Sequence, residues 1–188
     1  DLLQASESLL RKSFAVTLTR TRAELAGQSC IGLETAFRRR QQIIASRSFG
    51  QPVVCHEDLS EALSTFATRA AERLREDGSM AGSVQVYITG NRFKTSGQDA
   101  DRAIMVMLDS PTDDTRDIVA ATLRGLQDIY CPTYRYKKAG IVLGGIVAAT
   151  CYQPDLLATA TRYRQPSPQL MRAMDRINQR YGRDRIRV

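Results

Sequence analysis

Val84-Gln85-Val86-Tyr87-Ile88-Thr89 alternates apolar and wetter side chains with a period of two, the pattern of a β-strand with one buried and one open face. Its surroundings turn that strand into a fold. Upstream, Leu59, Leu63, Phe66, Ala70 and Leu74 recur at helical spacing and predict an amphipathic helix over residues 58–76. Downstream, Arg92 and Lys94 stand in a loop, and Ile104, Val106 and Leu108 predict another strand. Ser110-Pro111-Thr112 then opens a second helix, with Asp113 and Asp114 in its first turn and Ile118, Ala121, Leu126 and Ile129 on its apolar face.

Further out, residues 43–54 read as a first strand, in which Gly50 and Pro52 mark a bulge or an edge. Residues 139–148 read as a fourth, following the basic cluster Arg135, Lys137 and Lys138. The order is βαββαβ and the class is α+β, a four-stranded antiparallel-type sheet with two helices on one face. Two helices cover only one face of such a sheet, so the other meets solvent or a partner.

Before this unit, Leu10, Phe14, Leu18 and Leu25 recur at helical spacing over residues 2–25, and Gly27 supplies a stop. Residues 28–40 keep no period and end in Arg38, Arg39 and Arg40, as a linker against something negative or a solvated basic loop would. After the unit, a Pro-marked segment leads to residues 169–181, with helical spacing at Leu170, Met174 and Ile177. The expected division is a helical segment 1–27, a linker 28–40, a sheet domain 41–150 and an extension 151–188. The first residue is Asp1, and the start reads as a cut within a longer protein.

The 43% hydrophobic and 25% charged residues are those of a globular chain, and no apolar run approaches the roughly 20 residues a membrane span needs. Cys30, Cys55, Cys131 and Cys151 lie far apart without CxxC spacing, which points away from zinc or a disulfide frame and toward reduced, buried thiols in a cytosol. A net charge of +7 suits phosphate neutralisation. It suits ribosomes and acidic membranes equally.

No catalytic constellation is visible. His56 is the only histidine, and no HExxH, GxSxG or GxxxxGK[ST] pattern occurs. A Cys55-His56 dyad is awkward for adjacent residues, and Asp113 and Asp114 read as helix-end carboxylates rather than metal ligands. The cations are more informative. Arg47, Arg92, Lys94, Arg135, Lys137 and Lys138 fall near strand ends and loops, where they reach a duplex backbone, and no base-reading set accompanies them. Sequence-independent binding follows. An RNA-binding βαββαβ module is the rival from another class, but it stacks bases on aromatic residues of its central strands, and these strands offer chiefly Tyr87. A small-molecule enzyme on the same fold would need the missing catalytic set.

Ile43-Ile44-Ala45-Ser46-Arg47-Ser48-Phe49-Gly50 resembles the opening of the little finger of Y-family translesion DNA polymerases, in the subgroup of the polymerase V catalytic subunit. Collinear resemblances follow in ATRAAERLR at 67–75, PTDDTRDI at 111–118 and YRYKKAGIVL at 134–143. RKSFAVTLTRTRAELAG at 11–27 is similar to the last thumb helix, and LMRAMDRIN at 170–178 to the extension of the subgroup.

The resemblance implies a sheet lying in the duplex major groove, with Arg47, Ser48, Lys137 and Lys138 at positions that touch the backbone. It implies a role in SOS mutagenesis and DNA repair, in the cytoplasm at the nucleoid. The two magnesium ions of nucleotidyl transfer belong to palm carboxylates that would precede Asp1, so this chain is expected to hold no cofactor and to bind DNA without copying it. The implied partners, besides DNA, are RecA and the cleaved accessory subunit. Gln153-Pro154-Asp155-Leu156-Leu157 resembles the sliding-clamp peptide of the family, with Gln153, Asp155, Leu156 and Leu157 as candidate contacts and Leu157 replacing the more usual Phe. Family members continue beyond the position of Gly182, and the residues after it are expected to lack fixed structure.

Overall fold

The computed structural model describes residues 2–32, 40–90, 101–151 and 167–187. Contacts divide the chain into two units, Asp1–Arg39 and Arg40–Val188. In the first, Ser6 caps helix α1 (Glu7–Ser13) by accepting from the Leu9 amide, and α2 (Val16–Leu25) follows. Phe14 and Ala15 between them are both extended, so the periodic stretch is two short helices rather than one. No Gly or Pro marks that break, which is why spacing alone reads through it. Gly27 ends α2 at φ +85°, a conformation that costs glycine little.

The second unit contains β1 (Ile43–Val53), α3 (His56–Glu76), β2 (Ser79–Gly90), β3 (Arg102–Thr112), α4 (Thr115–Ile129), β4 (Tyr136–Gly144), β5 (Val147–Ala148) and α5 (Pro168–Tyr181). The sheet order is β1-β4-β2-β3, and every pair is antiparallel. Each helix therefore crosses between parallel strands that are not neighbours, α3 passing over β4 and α4 over β2. Leu59, Leu63, Phe66, Ala70 and Leu74 of α3 and Ile118, Ala121, Leu126 and Ile129 of α4 bury their apolar faces on Val84, Val86, Ile88, Ile141 and Leu143. Gly125 lets α4 approach the sheet, since a Cβ there would lie 2.9 Å from Val86 Cγ2 and 3.1 Å from Val106 Cγ2.

Two boundaries differ from the sequence expectation. Ser110-Pro111-Thr112 does not open α4 but completes β3, where Thr112 pairs with Ala81. The cap is Asp114, which accepts from the Arg116 amide at 2.9 Å and from its guanidinium at 2.6 Å, while Asp113 lies ahead of the helix. Burial pushes the Asp114 carboxyl up, but the Arg116 hydrogen bonds outweigh it and hold the group below the usual value. The fourth strand is interrupted after Gly144, where Gly145 takes φ +59°. Strand β5 resumes along β2 in the same direction and register, pairing Val147 with Met80 and Ala148 with Ser79, so the expected strand is split in two and the sheet has a fifth.

The thiols also depart from expectation. All four are unbridged, but Cys30, Cys55 and Cys151 are exposed and Cys131 is half-buried, because Cys30 follows α2 outside any element and the other three sit at element boundaries instead of on a core face. The Cys55 thiol donates to the Glu57 carboxylate, whereas the His56 ring meets Ser60 and Tyr130.

Helix α5 starts at a Ser167 cap with Pro168 in its first turn, a position that needs no amide donor. It buries Met171 and Met174, whereas Leu170 is 41% exposed, so the face is turned from the Leu170, Met174, Ile177 row of the sequence reading. Its inner side is tied to the helical layer. The Arg75 guanidinium forks onto Asp175 at 2.6 and 2.7 Å and also donates to the Asp113 carbonyl and the Thr115 hydroxyl, while the Thr115 amide points at Met171 Sδ. Farther on, Asp184 meets Arg69 at 2.9 Å and Arg187 approaches Glu61 at 3.8 Å, so the ties run in opposite order along α5 and α3. Residues 183–187 are not loose, contrary to expectation, because the Asn178 amide exchanges two hydrogen bonds with the Ile186 backbone and folds the tail back.

Only 12% of the Arg75 side chain and 20% of that of Asp175 is exposed, so removing one partner strands a largely desolvated charge. Asp175→Ala is expected to lower the unfolding free energy by about 2 kcal/mol, less than for a fully buried pair because solvent still screens this one. Urea denaturation measures it, and hydrogen exchange should show α5 deprotected ahead of the sheet.

Candidate nucleic-acid interface

Register sorts the side chains of the sheet into two sets, because residues directly opposite on neighbouring strands point to one side. The rows Ile43-Leu143-Val84-Val106 and Ala45-Ile141-Val86-Ile104 face the helices. So does the next row, Arg47-Ala139-Ile88-Arg102. The open face carries Ile44-Val142-Gln85-Met105, then Ser46-Gly140-Tyr87-Ala103, then Ser48-Lys138-Thr89.

Charge is distributed unevenly along these rows. At the end where β1 and β2 finish and β3 and β4 begin stand Arg47, Ser48, Arg102, Arg135, Lys137 and Lys138; at the other end stand Asp109, Asp113 and Asp114. Asp101 is the acidic neighbour of Arg102 at the basic end, and α3 begins there with Glu57, Asp58 and Glu61 on the helix side. By register Lys138 lies on the open face, whereas Arg47 and Arg102 lie on the side that also carries those α3 carboxylates.

Each cation is positioned by the fold. The register of β1 and β4 slips between Ser48 and Val53, where Gly50-Gln51-Pro52 interrupts pairing, and Lys137 Nζ donates to the Gly50 carbonyl at 3.2 Å across that bulge. Lys138 holds its ammonium 5.8 Å from the centroid of the Tyr87 ring. The Tyr87 ring lies down across β4, since a Cβ on Gly140 would meet its Cζ at 2.6 Å and Ser46 Cβ at 2.4 Å. Gly140 is therefore required by close approach on the open face. Arg102 stacks over Tyr134 at 5.4 Å. Arg135 is exposed in the turn before β4, which the Tyr136 hydroxyl fixes by accepting from the Cys131 amide and donating to the Cys131 carbonyl.

Arg47 and Ser48 do not share a face. By register Ser48 lies with Lys138 on the open side and exposed Arg47 on the helix side, although both border a cleft of about 630 Å³ between β1 and α3 that Asp58, Glu61, Arg69 and Arg187 also line. Arg92 and Lys94, in the β2–β3 connection, lie outside the described residues, as do Gln153, Asp155, Leu156 and Leu157. Sequence reasoning missed Arg102 and the pairing of Tyr87 with Gly140. Arg102 precedes the alternation at Ile104 by two residues, a signal that assigns it to the strand; its place in a row with Arg47 emerges only from pairing.

Chemically, the basic end of the open face carries small side chains, Ser46, Ser48, Gly140 and Ala103, that let an extended surface come close to the backbone, with Lys138 there to meet anions, whereas exposed Ile44 and Met105 make the next row apolar. Among the described residues no group of three or more His, Cys, Asp or Glu could hold a metal ion, and no helix is long and apolar enough to cross a membrane.

Residues 40–156 match the C-terminal domain of the impB/mucB/samB family, and residues 168–188 match a domain of unknown function (DUF4113). The chain is similar to Protein ImpB of Salmonella typhimurium, 37% identical over 95% of this chain and 42% of the relative. It is 38% identical to Protein SamB of the same organism, over 95% of this chain and 42% of that protein. Protein UmuC of Salmonella typhimurium LT2 is 33% identical over 97% of this chain and 43% of its own length. The chain thus spans about two fifths of the length of the curated relatives it matches.

Proposed function

Because the chain belongs to the impB/mucB/samB family through its C-terminal domain, we propose that it is the DNA-gripping part of a translesion polymerase, holding primer-template duplex without regard to sequence during SOS mutagenesis. The observation that carries this reading is that Lys138 and Ser48 of the open face, with Arg135 and Lys137 beside them, stand at the end of the sheet where that face carries the small side chains Ser46, Gly140 and Ala103. Lysines at that end neutralise phosphates, and the small side chains admit the backbone closely. Ser48 adds a hydroxyl to the same row as Lys138. Arg47, on the helix side of the edge strand, reaches phosphate only around the rim. Nucleotidyl transfer and its magnesium ions belong, on this reading, to the part of the longer relatives that this chain does not span.

The RNA-binding alternative is the weaker one. Tyr87 is the aromatic residue of the open face among the described residues, and its ring is pressed against Gly140 instead of standing out for a base. RecA and the cleaved accessory subunit are partners by family resemblance. Gln153, Asp155, Leu156 and Leu157 form the proposed clamp anchor, with Leu156 and Leu157 supplying apolar burial, Gln153 a polar contact and Pro154 limiting the entropy lost on ordering.

Replacing Lys137 and Lys138 together with Ala should weaken duplex binding equally across sequences and flatten the slope of log affinity against log salt by about 2. An unchanged slope, measured by fluorescence anisotropy, places the duplex elsewhere. Independently, Ala at Gln153, Leu156 and Leu157 should abolish binding to the cognate sliding clamp in surface plasmon resonance while duplex affinity and melting temperature hold; equal clamp binding by both forms removes that assignment.

A further inference from the structure

We propose that the outward face of α5 is a seat for single-stranded DNA, distinct from the duplex surface of the sheet. The inner face of the helix is fully engaged through Met171, Met174 and the Arg75–Asp175 fork. Its outward positions carry Arg172, Arg176 and Arg180, all exposed, one per turn and about 6 Å apart along the axis. Between them stand Ala173 and Gln179, both exposed. Asp175 is the single carboxylate of α5 and is spent on Arg75, and among the described residues Arg172 and Arg176 form no ion pair. Exposed Arg183 continues the positive charge past Gly182.

The fold does not need this row. Like charges at i, i+4 destabilise a helix by roughly 0.2–0.5 kcal/mol per pair, and α5 is anchored through its other side. Nor does a duplex on the sheet neutralise it, because α5 is tied to the far side of α3 and α4 from the open face. An uncompensated row of arginines at phosphate-like steps is complementary to one anionic strand.

The end of the row identifies which form of nucleic acid fits. The Arg180 guanidinium lies 5.5 Å from the Tyr181 ring centroid, and Tyr181 is 61% exposed, so a cation and an aromatic face are presented side by side. An unstacked base can lie on that ring while its phosphates follow the arginines; the bases of a duplex are already stacked inside it. A single convex helix also lacks a second basic row with which to straddle a groove. The outward positions from Arg172 to Arg180 offer no large apolar side chain, and exposed Leu170 and Tyr181 stand at opposite ends of the helix, so an acidic protein would find no contiguous apolar patch to bury.

The test uses the full chain and fluorescein-labelled oligo(dT) of about 20 nucleotides, a length that covers an ordinary single-strand site. Changing Arg172, Arg176 and Arg180 together to Ala should weaken oligo(dT) binding at least tenfold and flatten its salt slope by about 2, three contacts at roughly 0.7 each. Blunt duplex affinity should stay within twofold, whereas Lys137→Ala with Lys138→Ala should do the reverse, so failure of this seat and failure of the sheet assignment are told apart. Tyr181→Ala should weaken oligo(dT) severalfold with the slope unchanged, and the triple Lys variant should restore the slope even if the triple Ala variant melts early. An unchanged oligo(dT) slope in the triple Ala variant overturns the proposal. So does equal loss on duplex, or competition by poly-glutamate as strong as by unlabelled oligo(dT), which would make the face a seat for acidic protein.

Discussion

Strand β4 lies between β1 and β2, and the register it keeps with both decides which side chains face the helices and which face outward. A strand has a side-chain period of two, so a slip of one residue would turn Ala139, Ile141 and Leu143 out and drive Lys138 and Val142 into the core. Burial of Ile141 and Leu143 against α3 and α4 makes that slip expensive, at about 1.5–3 kcal/mol for each large apolar side chain left exposed. Everything proposed for the open face depends on that register. The close approach at Gly140 reinforces it, because Tyr87 from one neighbour and Ser46 from the other meet over a position that admits no Cβ.

The same register explains why the functional end is irregular. Ladder pairing slips in β1 after Ser48 and again between Thr89 and Gly90 opposite β4, and Lys137 and Lys138 sit at that slip. Consecutive strand residues ordinarily point to opposite faces. Here Lys137 crosses to the Gly50 carbonyl while Lys138 settles over Tyr87, so two adjacent lysines serve one end of the sheet. At the acidic end the chain behaves differently: Asp114 is consumed by the α4 cap and its Arg116 partner, and burial raises the pKa of Asp113 beside Arg75. Those carboxylates organise helix ends and the docking of α5.

Much of this was legible in the sequence because burial leaves a period. The alternation at Val84, Val86 and Ile88 and the helical rows of α3 and α4 came out as read, since each element has one face in the core. What failed was carried by groups without a period. The break at Phe14 and Ala15 has no Gly or Pro; the extension of β3 through Pro111 rests on pairing with Ala81; the rotation of α5 toward Met171 depends on where Thr115 and Arg75 wait for it. Site residues were legible by type but not by face: Arg47 and Ser48, adjacent in the chain, fall by register on opposite sides of the sheet.

Hydrogen exchange of the chain with and without saturating primer-template duplex tests the assignment of the sheet most directly, because it reads the footprint segment by segment. The account predicts slowed exchange in residues 46–50, 86–90 and 136–140, the basic end of the open face, with Asp109–Thr115 and β5 unaffected. A footprint confined to the α3 and α4 layer, or to the acidic end, would contradict it.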